Sequence, residues 1–258
     1  MLNNIRFAWR SRRFWWFTAT SRTRARFART TLGSFWLGFS NLLSIATLGI
    51  VYGTVFSVEN FQTYFIYLGV GLVIWNSISA SISSGPELFS SNSQNLKNMN
   101  IKPIVYTLEE WSFQIQTFFQ SFILVFLVLI FLKKVLIYNL IIYSWLPFLN
   151  LIIFLYWFPL VICLISVRYT DFSQLVPIVL QLIFLTSPIL YRKENLGGLG
   201  WITDYNLIYK VLDPLRISII QGQVNYKSAI ITLIINLIGL YLSLIFLKRQ
   251  SKKLPFLV

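Results

Sequence analysis

The chain has no histidine, one cysteine and eight acidic residues among 258. Each shortage closes a class of function. Without histidine the commonest metal ligand and the commonest general base are gone, and no HExxH zinc site can be written. The single thiol, Cys163, lies inside an apolar run; it can form no intramolecular disulfide and reads as packing. No GxxxxGK[ST] occurs, so the chain holds no nucleotide by a P-loop. Charge is scarce too, at 12% of residues against about a quarter in a soluble domain.

What is plentiful is oil. Hydrophobic residues make up 56% of the chain and the mean hydropathy is +0.68. A helix needs about 20 apolar residues to cross a bilayer. Six runs meet that length, at about 33–56, 61–82, 111–132, 138–167, 172–191 and 228–247. The fourth is long enough to be tilted or kinked near Pro147 and Pro159. The expected fold is an all-α polytopic membrane protein forming one transmembrane domain over 1–258. Residues 1–32 are its amphipathic arm, 33–247 its six-span bundle and 248–258 its tail.

The net charge of +14 would suggest nucleic acid in a soluble protein. Here the arginines crowd beside the first span, where topology and anionic lipid headgroups account for them, and no nucleic-acid partner is expected. With the N-terminus inside, the inner segments carry 15 lysines and arginines and the outer ones 7. That bias predicts both termini in the cytoplasm.

In the arm, Ile5, Trp9 and Trp16 fall on one helical face, while Arg6, Arg10 and Arg13 fall on a neighbouring one, as do Arg22, Arg26 and Arg29 further on. Arg12 interrupts the apolar side. Such a helix is expected to lie in the headgroup plane, as a topogenic anchor or also as a docking surface. The stretch 192–227 is apolar in part and interrupted by Asp213-Pro214. It predicts two short re-entrant or surface helices broken at Pro214, with a plain folded loop as the alternative.

All eight acidic residues are expected at span ends or in loops. A charge at mid-bilayer costs about 2.5–3.5 kcal/mol on insertion scales, and ion-coupled carriers accept that cost for function; their mechanism is therefore disfavoured. The spans carry neutral polarity and rings instead. Gln114, Thr117 and Ser121 share a face of the third span, and Gln174 and Gln181 a face of the fifth. Tyr64, Phe65, Tyr67 and Trp75 decorate the second. Rings stack on sugar faces and amides satisfy hydroxyls, so Tyr64, Tyr67, Trp75, Gln114 and Gln181 are candidates for a sugar path. The competing reading is helix glue and interfacial aromatic belts. Gly49 and Gly53 form a GxxxG that reads as helix packing.

Six short motifs occur in order: RTTLGSFW (Arg29 to Trp36), GLVIWN (Gly71 to Asn76), NLKNMNIKP (Asn95 to Pro103), RYTDF (Arg168 to Phe172), FLTSPILY (Phe184 to Tyr191) and LDPLR (Leu212 to Arg216). Together they resemble the membrane subunit, or permease, of type-2 ABC transporters that export O-antigen, other lipopolysaccharide, capsule or teichoic-acid chains on a lipid carrier. The resemblance covers nearly the whole chain. Ser34 stands where that family usually has proline, Asp213 where it has asparagine, and Arg216 lies closer to the motif than the family's arginine.

The resemblance implies a non-enzymatic transport subunit in the bacterial inner membrane. It would work as a homodimer with two copies of a separate ATPase that binds the ATP and Mg, leaving this chain without a cofactor. It implies that a coupling helix at about Gly85 to Lys102, bearing Glu87, Asn95, Lys97 and Lys102, docks on the ATPase. Asp213, Pro214 and Arg216 would belong to an outward gate. Arg168 and Asp171 form a turn between spans four and five: Arg168 as an inside anchor, Asp171 as a helix cap, the two able to pair, with a share in transmitting ATPase motion. The alternatives are an ABC exporter for a small lipid or drug, a membrane glycosyltransferase, which would need clustered acidic residues, and a scaffold.

Overall fold

The computed structural model describes residues 2–98, 101–251 and 253–257, with side chains from residue 6 onward. Every regular element among them is helical. The arm is two helices, α1 (Leu2–Arg10) and α2 (Arg12–Phe27), where the sequence predicted one over 1–32. The break falls at Ser11, whose hydroxyl donates to the carbonyls of Phe7 (2.8 Å) and Ala8 (3.2 Å). Such back-bonding competes with the helical ladder and bends it. The expected apolar face also turns out differently. Trp9 and Trp16 are exposed, and the side chain of Ile5 lies outside the described residues. Trp15 is the ring that faces inward, edge-on to Trp111 at 6.3 Å.

The bundle follows. α3 (Phe35–Val55) returns as α4 (Phe61–Ser84), started by Asn60, whose side chain accepts the Thr63 N–H. Gly49 and Gly53 let Phe65 and Phe61 approach: a Cβ on either would lie 3.1 or 3.0 Å from the rings. The connection expected as one coupling helix from Gly85 to Lys102 is a run of turns followed by α5 (Ser93–Asn98), of 6 residues. Gly85 and Pro86 stop α4, and residues 99 and 100 lie outside the described set. α6 (Pro103–Leu132) begins eight residues before the predicted 111, because Pro103 occupies its first turn, where a missing N–H costs nothing. Glu109 and Glu110 therefore lie about two turns inside this helix and not at its end.

The predicted fourth span is two helices, α7 (Val135–Tyr143) and α8 (Trp145–Ser166), parted at Ser144. Pro147 falls in the first turn of α8 and breaks nothing. Pro159 lies within α8, and the Leu155 carbonyl that it deprives of a partner accepts the Ser81 hydroxyl at 3.1 Å. α9 (Phe172–Thr186) ends five residues before the predicted 191, since Ser187 is held in extended geometry ahead of Pro188. At 15 residues it spans about 22 Å, short of a hydrocarbon core of about 30 Å. A 3₁₀ turn (Lys193–Leu199), α10 (Trp201–Tyr205) and α11 (Leu207–Gln221) follow. Here the break lies at Asn206, which caps α11 through the Tyr209 N–H, and the helix runs on through Pro214. It stops at Gly222 in the left-handed region (φ 67°). α12 (Tyr226–Gln250) crosses back and α13 (Leu254–Leu257) packs near α5.

Among the described residues five helices, α3, α4, α6, α8 and α12, are long and apolar enough to cross a membrane, and α9 is a shorter apolar helix. α4 is the hub: two thirds of its span is buried, against 17% for α3. α8 and α12 are tied by a polar ladder. Trp157 donates to Asn236 (3.0 Å), Asn236 to Asn150 (3.0 Å), and Asn150 to the Ala229 carbonyl (3.0 Å). Gly239 permits this, because a Cβ there would stand 2.6 Å from the Trp157 ring. α1, the α4–α5 connection, the end of α8 and α13 gather at one end of the bundle, the arm end. α7 and residues 187–222 close the far end.

Candidate functional site

Besides the α8–α12 ladder, two polar regions stand out among the described residues of this apolar bundle. The first is a cleft of about 410 Å³ at the arm end, between α2, α3, α4 and α6. Its floor is α6. Glu110 is buried there and ion-pairs with the half-exposed Arg22 of α2 at 2.5 Å. Gln114, one turn on, donates to Glu110 (2.8 Å) and to Ser84 (3.3 Å). A carboxylate with two charge-satisfying donors is tolerable at this depth. The Arg22 guanidinium also covers the Phe113 ring at 4.2 Å. Further along, Asn76 donates to Asn41 (2.6 Å) and Asn41 to Ser121 (2.5 Å), while the buried Ser77 hydroxyl has no partner. Arg26 stands at the rim, stacked among the described residues on the Phe27 ring.

The second region is at the far end. Residues 187–191 form an irregular, largely buried segment after α9, and irregular backbone at membrane depth persists only where protein satisfies its carbonyls. Side chains do so here. Tyr64 donates to the Leu190 carbonyl (2.6 Å), and Tyr67 to those of Pro188 (2.9 Å) and Tyr191 (3.0 Å). Arg216, 1% exposed, donates to Pro188 (2.7 Å), to Tyr209 (3.4 Å) and to the Asp213 carboxylate, and lies 3.9 Å over the Tyr67 ring. Gly71 leaves room for it: a Cβ would lie 3.4 Å from the guanidinium. Outside this lock, Lys193 pairs with Asp204 at 2.9 Å and holds that exposed carboxyl below its ordinary range.

The residues picked from sequence divide accordingly. Gln114 lines the cleft. Tyr64 and Tyr67 belong to the far-end lock with Asp213 and Arg216, and Pro214 is interior to α11. Trp75 is buried against Phe184 at 5.4 Å between centroids, and Gln181 is exposed on α9 with Gln174. Glu87, Asn95 and Lys97 are exposed along the α4–α6 connection, anchored by buried Leu88, Phe89 and Leu96. Lys102 lies 4.6 Å over Phe7.

Arg168 and Asp171 are exposed at the same end, but the expected contacts do not form. Asp171 makes no capping hydrogen bond, because its backbone is already helical (φ −62°, ψ −25°) and does not aim the carboxylate at the helix N–H groups. Arg168 stacks on Tyr169 at 5.5 Å and forms none of the ion pairs among the described residues. Sequence reasoning missed Arg22, Glu110, Asn41, Asn76 and Ser77. One signal was present: Glu110 and Gln114 are one helical turn apart, and Pro103 marks the helix start that places them inside it.

A bundle of apolar helices, pierced by a polar cleft and carrying an exposed connection at one end, has the parts needed to conduct or flip a solute. No curated protein matches the chain. A family model described as ABC-2 type transporter matches residues 16–220, from the second helix of the arm to the end of α11. The chain therefore belongs to the ABC-2 type transporter family: it is a multi-pass membrane transport subunit of an ABC transporter, whose ATPase is a separate partner.

Proposed function

We propose that this subunit exports a lipid-linked polysaccharide across the bacterial inner membrane. It acts as a homodimer with two ATPase copies, which bind the ATP and Mg, and both termini lie in the cytoplasm. The observation that carries the reading is the lining of the arm-end cleft. Its amides and hydroxyls, Asn41, Asn76, Ser77, Gln114, Thr117 and Ser121, alternate with the rings of Phe113 and Phe118. A hydroxyl-rich chain exchanges its water for these donors and acceptors at little cost, whereas an apolar cargo would leave them desolvated.

In this reading the turns and short helix bearing Glu87, Asn95 and Lys97, with Arg168 and Asp171 beside them, receive the motion of the ATPase. The far-end lock is the outward gate. A second reading, export of a small lipid or drug, draws on an apolar groove of about 420 Å³ that includes Trp15, Trp111, Tyr156 and Leu244. Deleting the gene and following the glycan tests the choice. Polymer stranded on the cytoplasmic face, released by a plasmid copy, supports polysaccharide export; normal surface polymer with lost extrusion of a small amphiphile supports the second reading.

A further inference from the structure

The cleft has an asymmetry that a neutral sugar path does not explain. Its cations are gathered at one rim. Arg22 and Arg26, one turn apart on α2, both line it, and Glu110 neutralises only one of them. Arg26 forms none of the ion pairs found among the described residues. Ser77 lines the same cleft, nine-tenths buried, with a hydroxyl that finds no partner among the described residues. A buried hydroxyl left unpaired is costly, and one that lines a cleft can be met by an acceptor atom of a ligand.

The ligand chemistry follows from the set. A cation would be repelled by the rim. A neutral polyol would leave Arg26 unused. An anion with several acceptor oxygens satisfies Arg26, draws on the half-exposed Arg22 and accepts from Ser77 at once, and phosphate oxygens are the acceptors that arginine matches best. One wall of the cleft is α3, which turns Phe39 and Leu43 outward, so an acyl tail has an apolar face to follow.

Resting on the polysaccharide reading, we propose that the Arg22/Arg26 rim and Ser77 form the seat for the phosphate or pyrophosphate head of the lipid-linked cargo, with its first sugar on the amides beyond. The seat orients the cargo head toward α2 and leaves the tail beside α3.

The test uses the permease assembled with its ATPase in phosphatidylcholine nanodiscs. The probes are a long-chain alkyl pyrophosphate and the matching alkyl alcohol. The pyrophosphate should bind at least about tenfold more tightly than the alcohol, and Arg26→Gln should remove about that factor, the worth of one hydrogen bond to a charged group. Arg26→Lys should keep most of it, Ser77→Ala should weaken binding less, and Arg249→Gln, outside the cleft, should leave it unchanged. Equal binding of the alcohol, or wild-type binding by Arg26→Gln in a normally assembled complex, overturns the seat. Inorganic pyrophosphate separates the sources: competition means the phosphate alone is recognised, while lipid binding without competition means the head is read only on its lipid. ATP hydrolysis stimulated by the full glycan lipid is measured on the same sample. If it persists while head binding is absent, the seat falls and the polysaccharide reading stands. If the head binds and the glycan neither stimulates nor moves, the polysaccharide reading falls.

Discussion

Arg216 and Arg26 carry the same side chain and do opposite things. Arg216 is buried at the far end with its charge answered from within: a carboxylate one turn away, a carbonyl, a phenol and a ring face. Arg26 is exposed at the rim of a polar cleft and has a single ring for company. An arginine whose charge is answered internally, as that of Arg216 is although its Nε is left unpaired, holds backbone in place and is unavailable to a ligand. One left unanswered in a cleft that also holds an orphan hydroxyl is available. In a chain this poor in charge, the difference in partners, and not the presence of the residue, separates architecture from binding.

Substitutions can break that contrast. The largest loss is expected from Arg216→Met. It leaves Asp213 without its cation and the 187–191 segment short of a donor, and breaking a buried pair costs about 3–5 kcal/mol; the yield and melting temperature of detergent-extracted protein should collapse. An unchanged melting temperature would dismantle the lock. Tyr67→Phe keeps the ring under Arg216 but removes the donor to the Tyr191 carbonyl, at a cost of about 1–2 kcal/mol. Its melting temperature should fall between wild type and Arg216→Met.

At the other region, Arg22→Gln strips the buried Glu110 of its cation. The cost should be about 1–2 kcal/mol, since Arg22 is half exposed and water screens the pair. Adding Glu110→Gln should return most of it; a double variant no better than the single one would show that the pair is not coupled. Arg26→Gln should leave stability unchanged while changing ligand binding, which sharpens the comparison most.

Glu87→Gln with Lys97→Gln should likewise leave stability unchanged. Both side chains are exposed, so melting should not move, yet ATP hydrolysis should lose its link to export; export at the wild-type rate would remove these residues from coupling. Smallest is Asp204→Asn. Its partner Lys193 depresses the Asp204 pKa, so the pair's contribution is present at neutral pH and lost on acidification. In full solvent it should be too small to see in a melting curve, and a clear fall at neutral pH would contradict that.

Much of the fold was legible because the bilayer imposes length. The runs that became α3, α4 and α12 needed only counting. Boundaries set by proline were read less well. Pro103 opens α6, Pro188 closes α9 early, and Pro159 and Pro214 lie inside helices where they resembled breaks. The reason is tertiary: Ser81, on another helix, satisfies the carbonyl that Pro159 frees, and no local pattern announces that. The site was legible in part for the same reason. Gln114 was picked out by its face on α6. Tyr64 and Tyr67 looked like sugar-stacking rings, but their hydroxyls are engaged by carbonyls more than a hundred residues away. Arg216 looked like a loop charge, because burial of an arginine depends on partners brought together only by folding.

Reconstitution decides whether this family member moves a lipid-linked polysaccharide. The permease and its ATPase would be placed in proteoliposomes with the glycan lipid on the ATPase side, and the appearance of glycan on the other side followed with and without ATP. ATP-dependent transfer of the glycan is expected, with hydrolysis stimulated by it and transfer reduced by Arg26→Gln. Hydrolysis that ignores the glycan and responds instead to a small apolar amphiphile, with no glycan crossing, would contradict it.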